Sequence, residues 1–271
     1  PCLLFPRGRG SALRPPGPAA RGGPRVWRIL VAERPGTGRS DPPADLSFAG
    51  VAADMRHLTD TLGHGRVRVA AFMYGAPFAL AYASAMGPQV DHVLLASGRS
   101  TGAQAEVEDD RVHPMVLLRR RLVRVSWLAE PLYSLLRRRL SPRQVEQMLR
   151  SAASAESDRS YLRSHPPVAD FIHDYMQESL SRSSKGAARE TALLARTERL
   201  DLDGLTARLH VWYGADDPAG RARDFVAWLG RDDIHLREVP GTGHFLPLKY
   251  WPEVMAWLAA EDPAQLISER L

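Results

Sequence analysis

Cysteine occurs once in the 271 residues, at Cys2, which excludes an internal disulfide and a multi-cysteine zinc site. A reducing, cytoplasmic setting is the expectation that follows. Lysine is almost missing as well: Lys185 and Lys249 are the only two, so 34 of the 36 basic residues are arginine. Such a skew follows from GC-rich coding more readily than from selection for phosphate contacts, and no nucleic-acid partner is expected. The net charge of +5 is also unevenly spread. Residues 111–140 hold eight arginines (Arg111, Arg119, Arg120, Arg121, Arg124, Arg137, Arg138, Arg139) against Glu130, a local balance of +7 that leaves the rest at −2. This segment reads as a solvated helix face partly offset by Glu106, Glu108, Asp109 and Asp110, with attraction to an anionic surface as the alternative.

Long uncharged runs are equally scarce. Val69 to Val90 carries no charge and has the length of a membrane span. Gly75 and Pro77 interrupt it, and Ala, Ser and Tyr dilute it, so a buried strand, turn and helix are expected and no transmembrane segment. No charged-then-apolar leader opens the sequence, so no signal peptide is expected, while Pro1 in first place suggests that further chain precedes it. What remains is ordinary globular composition, 44% hydrophobic and 25% charged, in a chain long enough to bury a substantial core.

Short apolar runs recur at Leu3–Phe5, Val26–Ala32, Val67–Ala71, Val93–Ala96, Leu209–Tyr213 and Ile234–Val239. Several alternate with helical patterns, which predicts a mostly parallel sheet flanked by helices. Ser47 is placed to cap a helix with an apolar stripe of Phe48, Val51, Met55, Leu58 and Leu62, ended by Gly63. A last helix starts near Tyr250-Trp251-Pro252 and carries Val254, Met255, Trp257 and Leu258. Between about 103 and 198 the alternation stops: there is no convincing strand, and Ser141-Pro142 opens one of several helical segments as cap and first residue. The division expected is a core of residues 1–102 and 199–271 with a helical lid, 103–198, inserted before the last two strands. Arg7 to Gly23 is rich in Arg, Gly and Pro and is assigned no element. No internal repeat is found.

Three segments carry the chemistry. Val69 to Ala76 is a strand running through a tight turn into a helix, the layout of the G-x-S-x-G nucleophile elbow with Met73 in the serine's place. His210-Val211-Trp212-Tyr213-Gly214 closes a strand and leads to Asp216-Asp217-Pro218. Pro240-Gly241-Thr242-Gly243-His244-Phe245 presents a histidine on a Gly-rich loop after the last strand. Taken with the turn Glu33-Arg34-Pro35-Gly36-Thr37-Gly38-Arg39-Ser40-Asp41, which is similar to the pattern D-R-P-G-x-G-x-S-D, the chain resembles the α/β-hydrolase superfamily from about residue 3 to 260. The order nucleophile, acid, histidine is that family's. The resemblance implies Asp217 as the acid, with Asp216 its neighbour, His244 as the histidine, and Met73 at the nucleophile position. It also implies backbone N–H groups of Tyr74 and Gly8 as oxyanion donors, although Pro6-Arg7-Gly8-Arg9-Gly10-Ser11 matches the family's H-G-x-P-G-S poorly. Two short strands usually precede this point in the family and are absent from this sequence. No cofactor and no metal is implied.

The departure decides the function. A thioether has no proton to lose and is a poor nucleophile, and Met tolerates badly the strained backbone an elbow needs, which argues that this turn has lost its sharp geometry. Each site residue also has a plainer reading: Met73 as core filler, Asp217 before Pro218 as turn former, His244 as a solvated loop residue. Cys2 begins its strand, about 10–13 Å from the strand's active end. Ser97, Ser100 and Thr101 follow a strand on the active edge but sit on no elbow, and Ser84 belongs down a helix. Three functions are thus open. One is a weak or inactive hydrolase of ester or lactone descent acting on a small apolar, ester-like molecule. The second is a non-hydrolytic enzyme using His244 and Asp217 for acid–base chemistry. The third is a pseudoenzyme that binds a ligand or a partner.

Overall fold

Short apolar strands buried on both faces build the centre of the sheet. The computed structural model describes residues 2–5, 29–101, 129–139, 141–152, 155–181, 183–196, 200–217 and 222–260. Six strands, β1 (Cys2–Phe5), β2 (Ile29–Val31), β3 (Val67–Phe72), β4 (Val90–Ala96), β5 (Arg208–Gly214) and β6 (Ile234–Val239), pair in the order β2-β1-β3-β4-β5-β6. Every pair is parallel. Because successive side chains point to opposite faces, one set (Leu3, Phe5, Val69, Ala71, Val93, Leu95, Leu209, Val211, Tyr213) joins one core and the other (Leu4, Ala70, Phe72, Leu94, Ala96, Trp212) joins a second. Both faces are covered, as parallel sheets require. The first core is shared with α1 (Phe48–Thr61), α2 (Ala76–Met86) and the helix Ala222–Leu229; the second with the helix Trp251–Ala259.

The helix starts follow the sequence closely. Ser47 adopts extended backbone and its hydroxyl accepts the Gly50 N–H at 3.0 Å, while Gly63 beyond the end takes φ +70°. One member of the expected stripe is misplaced: Leu62 lies past the helix end and is exposed, and Thr59 is buried instead. Thr59 stays inside because its hydroxyl bonds back to the Met55 and Arg56 carbonyls.

Among the described residues five helices lie between β4 and β5: α3 (Ala129–Arg139), α4 (Pro142–Ala152), α5 (Glu156–Ser164), α6 (Pro167–Ser179) and α7 (Lys185–Ala195). After β5 the described helices are α8 (Ala222–Leu229), α9 (Leu246–Lys249) and α10 (Trp251–Ala259), the last burying Trp251, Val254, Met255, Trp257 and Leu258 as its pattern implied. Ser141 caps α4 in a reciprocal box with Gln144, whose side-chain oxygen accepts the Ser141 N–H at 2.9 Å. A buried cluster of Val145, Leu149, Leu162, Val168, Ala169 and Ile172 forms among α4, α5 and α6, and Phe245 from the far end of the chain completes it. Of the arginine-rich segment, Arg111 to Arg124 lie outside the described residues, and Arg137 to Arg139 are described only as helical backbone. Among the described residues no helix is long and apolar enough to cross a membrane.

Candidate functional site

The site forms where the carboxyl ends of β3, β4, β5 and the loop after β6 converge. β3 stops at Phe72, and Met73 turns the chain with φ +50° into a short 3₁₀ turn, Met73–Gly75, that hands over to α2 with Pro77 in its first turn. The left-handed region costs a side chain with a Cβ about 1–2 kcal/mol. The expectation that methionine would blunt the turn is therefore corrected: the sharp geometry is retained. It survives because the surroundings fix it. Ala71 and Ala76 on either side are fully buried, and the Met73 carbonyl accepts the N–H groups of both Ala76 and Arg99, the latter at 3.1 Å. Met73 itself is only 2% exposed.

Asp217 and His244 are brought together by backbone stitching between β5 and the loop after β6. Ala215 N–H donates to the Val239 carbonyl at 2.9 Å and Asp216 N–H to the Thr242 carbonyl at 3.0 Å. A Cβ on Gly214 would lie 2.2 Å from that Thr242 oxygen, so the close approach needs glycine there. The result leaves Asp216 exposed and Asp217 buried, with Asp217 Oδ2 3.4 Å from His244 Nδ1. The His244 side chain is 25% exposed, so it borders solvent while Asp217 does not.

Two residues not singled out by sequence complete this constellation. Arg99, three residues past β4, places its guanidinium Nη2 3.1 Å from Asp217 Oδ2 and 2.7 Å from His244 Nδ1. Arg99 and Asp217 are both buried, a charge-assisted pair out of water. Burial opposes the charge on Arg99, yet the Asp217 carboxylate, with smaller contributions from Tyr74 and Tyr213, outweighs it and raises the guanidinium above its usual range. Asp158 on α5 accepts the backbone N–H of His244 at 2.7 Å and of Phe245 at 3.2 Å. Burial pushes the Asp158 carboxyl up from the ordinary aspartate value, opposed by those two backbone bonds and by His244, with Asp217 adding to the rise. Gly243 must lack a side chain because its Cβ would sit 2.4 Å from the Asp158 carboxylate.

The other expected residues fall as follows. Tyr74 is half-buried within the turn, and Gly8 lies outside the described residues. Ser97 is fully buried at φ +50°, its N–H on the Trp212 carbonyl at 2.8 Å, and Thr101 is buried as well. Cys2 is buried at the opposite end of its strand, and burial pushes its thiol up to about 11. Among the described residues no group of three or more His, Cys, Asp or Glu is arranged to hold a metal ion.

No protein-family model and no curated protein sequence matches the chain. Solved structures do. A carboxylesterase structure from the thaumarchaeon Nitrososphaera gargenis is 14% identical with a TM-score of 0.62, covering 100% of this chain and 91% of that one. The enol-lactonase from Burkholderia xenovorans LB400 is 18% identical with a TM-score of 0.61, covering 95% and 89%. An α/β-hydrolase-fold protein from Nakamurella multipartita is 16% identical with a TM-score of 0.63, covering 95% and 91%. The chain has the α/β-hydrolase fold. That fold states where a site belongs, and the chemistry has to be read from the residues present.

Proposed function

We propose that this chain is a small-molecule-binding protein of ester- or lactone-hydrolase descent, with weak or no serine-hydrolase activity. The observation that carries the reading is Met73 at φ +50° between β3 and α2, a retained elbow without a nucleophile. Residues 1–102 and 199–271 act as the core, and 103–198 as a lid over a ligand held near Met73. His244 and Asp217 descend from a base and its orienting acid, and the N–H groups of Tyr74 and Gly8 from oxyanion donors. No cofactor is required. Removing a triad nucleophile takes away about 10⁶-fold in rate and leaves about 10³–10⁴ over water from binding and oxyanion stabilisation. A small apolar or ester-like molecule is the ligand class that this descent supports, since similar folds are described as a carboxylesterase and an enol-lactonase.

Retained acid–base chemistry without covalent catalysis is the competing reading. The Arg99 guanidinium against both Asp217 and His244 favours binding over it, because a permanent cation stands where a base would need its proton partner. The test is a panel of chromogenic short-chain esters and lactones on the wild type, together with a fluorophosphonate probe and thermal shifts. Expected are no covalent adduct, turnover at or below the level of an unassisted pocket, and a raised melting temperature with a binding member of the panel. Fluorophosphonate-sensitive turnover would overturn the reading.

A further inference from the structure

Arg99 decides what His244 can do, and the chemistry of its donor shows how. Its backbone N–H is fixed to the Met73 carbonyl at 3.1 Å, and Nη2 reaches Asp217 Oδ2 at 3.1 Å and His244 Nδ1 at 2.7 Å. Nη2 carries two hydrogens, one for each neighbour. A guanidinium donates, never accepts, and keeps its protons at any pH a protein survives. The ring nitrogen it meets must therefore present a lone pair, and the proton of the neutral imidazole must be on Nε2. The 3.4 Å between Nδ1 and Asp217 Oδ2 is then the spacing of two acceptors sharing one donor nitrogen, not an N–H···O bond. Base catalysis needs the opposite arrangement, Nδ1–H donated to the carboxylate and a lone pair left on Nε2. The third charged neighbour, Asp158, accepts the backbone N–H of His244.

We propose that Arg99 is a positioning residue that holds His244 as the Nε2–H tautomer, so that the ring offers a hydrogen bond where a hydrolase would take a proton. This rests on reading His244 and Asp217 as a former acid–base pair, and it adds a second disabling change to Met73: supplying a hydroxyl at position 73 alone leaves the ring unable to activate it.

The test needs no functional assay. Nitrogen–proton multiple-bond correlation spectra of the ¹⁵N-histidine-labelled wild type are recorded at about pH 8, above the ordinary imidazole range. Among nine histidines, His244 is assigned by the signals lost in His244→Gln. The expected pattern is an unprotonated Nδ1 and a protonated Nε2; a protonated Nδ1 with a bare Nε2 overturns the proposal. In Arg99→Met the proton is expected to move to Nδ1, facing Asp217, and retention on Nε2 in a folded variant would also overturn it. Should that variant fail to fold, the wild-type spectrum decides alone. Fluorophosphonate-sensitive turnover, by contrast, would defeat the binding reading whatever the tautomer.

Discussion

Asp217 meets the Arg99 guanidinium out of water, and that makes the ion pair a structural commitment as well as a chemical one. Arg99 and Asp217 have side chains 6% and 0% exposed, and removing one partner of such a pair leaves a bare buried charge, at about 3–5 kcal/mol. Urea unfolding of Arg99→Met is expected to show a loss of that order, and a change below about 1 kcal/mol would mean that Asp217 has other adequate partners. At the far end of the sheet, Cys2 gives a pH dependence whose sign is fixed. Its folded thiol titrates near 11 against an unfolded value of 9.0, chiefly because burial disfavours the thiolate. Between those values the unfolded state sheds its proton first. The contribution is therefore intact below 9.0, is lost as pH rises toward about 11, and totals roughly 3 kcal/mol. Wild type should lose more stability than Cys2→Ala across that window; parallel losses would contradict the burial argument.

Elements are joined by contacts between the sheet core and the helices that lie between β4 and β5. Arg34, from the turn after β2, makes a two-point pair with Glu190 on α7 (2.9 and 3.0 Å), fully buried and stacked 4.7 Å over the Phe78 ring. Alongside it Gly36 and Gly186 pass so closely that a Cβ on Gly186 would lie 1.9 Å from the Gly36 oxygen. Glu190→Ala should cost about 3–5 kcal/mol, whereas Arg34→Met combined with Glu190→Leu should cost far less, because a well-packed apolar pair replaces both charges. Equal losses in denaturant melts would show that packing, not the charge pair, dominates there. The second junction is Asp158 with the backbone of His244 and Phe245, reinforced by Phe245 inside the cluster of α4, α5 and α6. Hydrogen bonds to a charged acceptor contribute about 1.5–3 kcal/mol. Asp158→Ala should accordingly speed amide hydrogen exchange at His244 and Phe245 by roughly 10-fold or more, and unchanged exchange would remove Asp158 from the histidine's support.

For the whole molecule, sequence conveys what is periodic or local and little that depends on meeting across the chain. The six strands, the Ser47 and Ser141 caps, the elbow and the histidine loop can be read because each is written in neighbouring residues. Arg99 and Asp158 could not, since their partners lie 118 and 86 residues away and neither sits in a local motif. A clue existed for Arg99: it is the first charge after the apolar end of β4, at the edge where sites of open parallel sheets lie. Leu62 misled because a helical stripe says nothing of where the last turn unwinds, and Met73 because strain is judged locally while the fold enforces it globally. The arginine-rich segment invites one further check at this scale. If it is a solvated face, the protein should not sediment with anionic liposomes at low salt, and salt-sensitive sedimentation would assign it to a charged surface.

On the proposed reading, an intact elbow holds a residue that cannot attack, and no other hydroxyl replaces it. Mass spectrometry of the folded wild type after exposure to a fluorophosphonate tests this directly. The expected spectrum shows unmodified protein only, and one stoichiometric adduct on any serine would contradict it.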